Sequence, residues 1–75
     1  MDDTRTYTFI VSGMHCASCG MLIDDALEEI PGVQRSQTSV RAGRTVVHTE
    51  PTGPEPRNLA AAITSAGYTA HLDAT

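Results

Sequence analysis

Gly13-Met14-His15-Cys16-Ala17-Ser18-Cys19 joins a stretch with the period of a strand to one with the period of a helix. Upstream, Thr6 to Ser12 alternates, with Tyr7, Phe9 and Val11 on one face and Thr8, Ile10 and Ser12 on the other. Gly13 breaks that strand. Downstream, from about Ser18 to Ile30, the spacing predicts a helix whose apolar stripe is Leu22, Ile23, Ala26, Leu27 and Ile30, with Cys19 near its centre. The two cysteines therefore sit where a helix start leaves N–H groups unpaired and its dipole is positive. Both effects lower a thiol pKa from about 8.5 and favour the thiolate, the form that binds soft ions. Cys16, in the loop, is the thiol that a partner or an alkylating reagent reaches first. Cys19, on the inner side of the helix start, is the less exposed.

Beyond the helix, Pro31-Gly32 stops the chain's first helical run. Val33 to Arg41 and Arg44 to Glu50 read as two strands joined at Ala42-Gly43. Their patterning is polar: Ser36 and Thr38 share a face with Val40, and Thr45 and Thr49 share one with Val47. The prolines of the stretch 51–56 keep it irregular, and a second helix starts near Pro56 or Arg57. Leu59, Ala62, Ile63 and Ala66 are its expected buried positions, and Gly67 is placed to end it. Tyr68 to Leu72 forms a last strand with Tyr68, Ala70 and Leu72 on one face. The order βαββαβ specifies an α+β, ferredoxin-like sandwich, a four-stranded antiparallel sheet with two helices on one face. It brings the cysteine loop and the Gly67-Tyr68 turn to the same end of the sheet.

With 75 residues the chain is read as one domain, residues 1–75, too short for a deep enzyme pocket. Such a domain buries only roughly 60% of the surface its unfolded chain exposes. A net charge of -4 without a single lysine argues against nucleic acid, whose phosphates need clustered basic side chains. The start, Met1-Asp2-Asp3-Thr4-Arg5, lacks a basic-then-apolar leader, and no apolar run is long enough to span a membrane. The expected location is the cytoplasm. Thiols there stay reduced, so a close pair points to metal or redox chemistry rather than to a structural bridge.

Gly13-Met14-x-Cys16-x-x-Cys19, Ile23, Ala26-Leu27, Pro31-Gly32-Val33, Leu59, Ile63 and Gly67-Tyr68 together resemble the heavy-metal-associated domains. That family includes copper chaperones, the N-terminal metal-binding domains of metal-transporting P-type ATPases, and mercury-binding proteins. The resemblance runs from about Tyr7 to Leu72. It implies that Cys16 and Cys19 bind a soft ion, usually Cu(I), in near-linear two-thiolate geometry on an exposed loop. It also implies that Met14 packs beneath that loop without ligating, and that Tyr68 is the tyrosine that bacterial members carry beside it. Ser36 and Thr38 stand where the family usually has valines, a departure that thins the expected core.

The competing chemistries need features this chain lacks. A thioredoxin-like dithiol belongs with a βαβ pattern, whereas here a hairpin occupies the middle. A closed zinc site needs four ligands. His15 reads as an exposed bystander. His48 and His71 fall on the outer sheet face about 9.5 Å apart, two strand spacings, too far to share an ion. Met21 reads as an exposed contact for a partner, and Asp24, Asp25, Glu28 and Glu29 as a solvated face or a docking surface. The expectation is a cytosolic, non-enzymatic metallochaperone that hands Cu(I) to a copper-transporting P-type ATPase or its N-terminal metal-binding domain. A second copy bridged through the ion is a further partner. The alternatives are a domain of such an ATPase, a carrier of Hg(II) or Zn(II), or a thiol–disulfide oxidoreductase.

Overall fold

Alternation in β1 and β3 and 3.6-residue spacing in the helices leave these elements one apolar face each, and those faces meet in a single layer. The computed structural model describes residues 4–73, so the Met1-Asp2-Asp3 start lies outside the described residues. The elements are β1 (Arg5–Ser12), α1 (Ala17–Glu28), β2 (Val33–Ser39), β3 (Arg44–Thr49), α2 (Pro56–Ser65) and β4 (Thr69–Leu72). The strands form one antiparallel sheet in the order β2-β3-β1-β4, the ferredoxin-like sandwich that the element order specifies. Phe9, Val11 and Val47 from the inner sheet face pack with Ile23 and Leu27 of α1 and Leu59 and Ile63 of α2. Burying each such side chain is worth about 1.5–3 kcal/mol. Both helices therefore cover the same face of the sheet.

The first helix is turned differently from its sequence pattern. Its inward line is Gly20, Ile23 and Leu27, while Leu22 is 58% exposed. This rotates the buried stripe by roughly 60° at 3.6 residues per turn. Two residues account for it. Gly20 lets the helix approach the sheet edge so closely that an added Cβ would lie 3.1 Å from Val40 and 3.3 Å from Thr38. Asp24 is turned toward β2, where it accepts hydrogen bonds from the Ser36 and Thr38 hydroxyls, both at 2.7 Å, and from the Thr38 N–H at 3.2 Å. Glu28 accepts the Ser36 N–H at 3.1 Å. Since β2 is an edge strand, these carboxylates occupy N–H groups that would otherwise face open solvent or another chain's strand.

Ser36, Thr38 and Thr45 are thus not gaps in an apolar core. The Thr38 hydroxyl is shared with Thr45 at 2.9 Å, and the chain of contacts runs from helix to sheet interior. The weak point is Thr49, whose buried hydroxyl has no partner among the described residues. Three smaller differences from the sequence pattern follow from element ends. β2 stops at Ser39, and residues 40–43 form the turn. Ala66 is exposed because it is the C-cap of α2, and Leu72, at the end of β4, is 47% exposed.

Candidate metal site

The end of α2 brings the second half of the site to the first. Gly67 adopts φ +105°, a left-handed conformation open to glycine, and closes a Schellman cap: Gly67 N–H donates to Thr64 O and Tyr68 N–H to Ile63 O. The chain then enters β4 with Tyr68 beside the cysteine loop, 3.7 Å from where a side chain on Gly13 would begin. Beneath the loop, Met14 is half-buried against the core cluster.

Cys16 is exposed and Cys19 half-buried, as the loop and helix-start positions predict, and both are free thiols. Their sulfurs lie 3.4 Å apart. Cys16 is the N-cap of α1, yet its side chain takes no capping hydrogen bond. The Cys19 N–H, a natural target for such a cap, goes to the Cys16 carbonyl at 3.0 Å. The Cys16 sulfur faces the Ser18 hydroxyl instead, at 3.0 Å.

The Cys19 thiol is drawn toward the thiolate form. Hydrogen bonding from the Tyr68 side chain, then from the backbone N–H groups of His15 and Cys16 and from the Cys16 side chain, holds its pKa at about 6 against the opposing effect of burial. Tyr68 is pushed in the reverse direction, first by that same hydrogen bond to Cys19 and then by burial and the cysteine charges. It therefore stays a phenol, and a donor, at neutral pH. The largest single cause of the lowered Cys19 pKa is thus a tyrosine from the far end of the chain.

Exposure favours Cys16, as expected, and the lowered pKa adds reactivity at the half-buried Cys19. Above pH 6 Cys19 is mostly thiolate, and below it each pH unit removes the nucleophile roughly tenfold. Cys19 alkylation by iodoacetamide, followed by peptide mass spectrometry, is expected to show a midpoint near pH 6. Tyr68→Phe should raise that midpoint. A wild-type midpoint in the ordinary thiol range would remove Tyr68 from the site.

The remaining candidates stay apart. His15 and Met21 are exposed, Met21 at 67%. His48 and His71 lie on strands separated by β1, and His48 Nδ1 is 3.1 Å from the Thr6 hydroxyl. Among the described residues, no group of three or more His, Cys, Asp or Glu side chains converges on a common point. Asp24 and Glu28 reach β2, although Glu28 stays exposed, as do Asp25 of α1 and Glu29 at its C-cap. Ser18 went unremarked in the sequence, where a serine between two cysteines carries no spacing signal of its own.

Among the described residues, no helix is long and apolar enough to cross a membrane. A family model, the heavy-metal-associated domain, matches residues 8–69. Over 65 residues the chain is 40% identical to a mercuric reductase of Shigella flexneri, covering 87% of this chain and 11% of that protein. Over 69 residues it is 33% identical to the periplasmic component of a mercuric transport protein of Salmonella typhi, covering 92% of this chain and 76% of the relative. The crystal structure of a copper-binding domain from a P-type ATPase superposes with a TM-score of 0.89 at 27% identity, over 93% of this chain and 95% of that one. The chain belongs to the heavy-metal-associated domain family.

Proposed function

We propose that Cys16 and Cys19 together bind one soft metal ion, Cu(I) in the first instance, and that the domain passes it to a second dithiol. The observation carrying this reading is a pair of free sulfurs 3.4 Å apart on an accessible loop, supported by the lowered pKa of Cys19 and by the finding that no group of three or more His, Cys, Asp or Glu side chains converges among the described residues. Thiolates select soft ions, and two suffice for Cu(I), whereas Zn(II) in a stable protein site takes four ligands. Because Cys19 is already ionised, binding at pH 7 displaces fewer protons than two ordinary thiols would release.

Transfer follows from low coordination. An incoming thiolate adds to the bound ion on the open side near Cys16 and makes a third sulfur bond. Cys16 then leaves as a thiolate, Cys19 follows, and the ion is never free. No bond in a substrate is made or broken, so the domain acts as a carrier and not as an enzyme. Its partner on this reading is a copper-transporting P-type ATPase or its N-terminal metal-binding domain, with a second copy of this chain as a further acceptor. A reducing compartment, the cytoplasm, keeps both thiols available. Exposed Asp25, on the helix that begins at the loop, and Glu29, at its C-cap, favour a partner with a basic rim. Asp25→Lys with Glu29→Lys is expected to slow transfer at low ionic strength, and the difference to shrink as salt shortens the Debye length below about 10 Å. Equal rates at low salt would return these acids to solubility alone.

A second reading, Hg(II) as cargo, is favoured by the two mercury-handling relatives. Anaerobic competition titration decides between ions. The expected result is one Cu(I) per domain, retained against excess Zn(II) and delivered to an acceptor dithiol domain. Delivery of Hg(II) but not Cu(I) to such an acceptor would favour the second reading, and displacement of Cu(I) by equimolar Zn(II) would sink both.

A further inference from the structure

The two sulfurs of the loop are held by different kinds of donor. Cys19 draws on the Tyr68 side chain and on two backbone N–H groups, those of His15 and Cys16. Backbone donors are fixed by the fold. Apart from the Cys19 sulfur, the one hydrogen-bond partner of the Cys16 sulfur among the described residues is the Ser18 hydroxyl, at 3.0 Å. Ser18 lies in the first turn of α1, exposed like Cys16, and a hydroxyl is free to rotate its proton toward the sulfur or away from it.

We infer that Ser18 is a positioning residue that sets how fast Cys16 releases a metal ion, an inference that rests on the two-thiolate reading above. A sulfur bound to an ion shares part of its negative charge. When the Cys16–ion bond breaks, the electron pair stays on Cys16 and the full charge returns to its sulfur. A hydrogen bond to an ionised acceptor is stronger than one to an acceptor whose charge is shared or neutralised. The Ser18 hydroxyl therefore stabilises the released thiolate more than the bound one and lowers the cost of the leaving step. Cys19, held by fixed donors and half-buried, is the anchor; Cys16 is the arm that opens. The incoming sulfur meets the ion on the side where Cys16 and Ser18 are both exposed.

A purely structural role predicts the opposite sign. If Ser18 only held the loop in shape, its loss would loosen the site, weaken affinity and speed release. The test uses Cu(I)-loaded wild type, Ser18→Ala and Ser18→Thr, each mixed anaerobically with bathocuproine disulfonate while release is followed by absorbance. Equilibrium competition with the same chelator gives the affinities. Ser18→Ala is expected to release about three- to tenfold more slowly, the effect of losing one exposed charge-assisted hydrogen bond. Its affinity should be equal to wild type or tighter, and Ser18→Thr should restore the wild-type rate. Release as fast as wild type or faster, slower release with weakened affinity, or failure of the threonine variant to restore the rate would each overturn the inference. Wild type that loads Cu(I) normally while the alanine variant behaves identically overturns this inference alone. Wild type that fails to load overturns the functional reading as well.

Discussion

Asp24→Ala is expected to lower the stability of the domain by about 2–3 kcal/mol, the cost of leaving partly buried donors without their charged acceptor. Three donors lose their partner at once: the Ser36 hydroxyl, the Thr38 N–H and the Thr38 hydroxyl, although the last keeps Thr45. For a domain of this size the loss lowers the melting temperature by roughly 8–20 °C. Asp25→Ala, on the exposed side of the same helix, should stay within about 0.5 kcal/mol of wild type. A triple variant, Asp24→Leu with Ser36→Val and Thr38→Val, removes both hydroxyl donors with the acceptor and should recover part of the loss, the Thr38 N–H and the Thr45 hydroxyl being the groups it leaves without these partners. Thermal melts in reducing buffer distinguish these outcomes. Equal melting temperatures for the Asp24 and Asp25 variants would return Asp24 to the solvated face suggested by its sequence.

The second large effect is ligand-linked. An ion that binds only the folded state stabilises it by RT ln(1 + [L]/Kd), about 2.7 kcal/mol when free ion is a hundredfold over Kd. Saturating Cu(I) is therefore expected to raise the melting temperature of the reduced protein by roughly 10 °C or more. Cys16→Ser and Cys19→Ser should each abolish the increase, because one thiolate leaves a soft ion under-coordinated. The His15→Ala variant should keep it, since His15 is exposed and joins no ligand cluster. A melting temperature unmoved by Cu(I) in wild type would count against a native-state site.

The fold was legible because its punctuation is chemical. Gly13 ends a strand, Pro31-Gly32 ends a helix, and Gly67 sits where only a left-handed residue closes the cap. Alternation placed Phe9, Val11 and Val47 inward, and the helical spacing of Leu59 and Ile63 was unambiguous. The rotation of α1 was not legible. Periodicity counts an aspartate as solvent-facing, and only the sheet order, which makes β2 an edge, supplies the reason for Asp24 to turn inward. For the site, the cysteines stand out by their spacing, whereas what distinguishes them does not. Tyr68 reaches Cys19 across most of the chain, and it was found through the resemblance rather than through any local pattern. Ser18 lies between the cysteines, next to Cys19 and two residues from Cys16, yet which sulfur its hydroxyl meets depends on the helix start, which one-dimensional spacing does not encode.

On the proposed reading Cys16 and Cys19 alone hold the ion, in a two-sulfur site. X-ray absorption at the copper edge on monomeric, Cu(I)-loaded protein counts the neighbours of the ion directly. Two sulfur neighbours and no nitrogen are expected. A third or fourth sulfur, or a nitrogen contributed by His15, would contradict that reading.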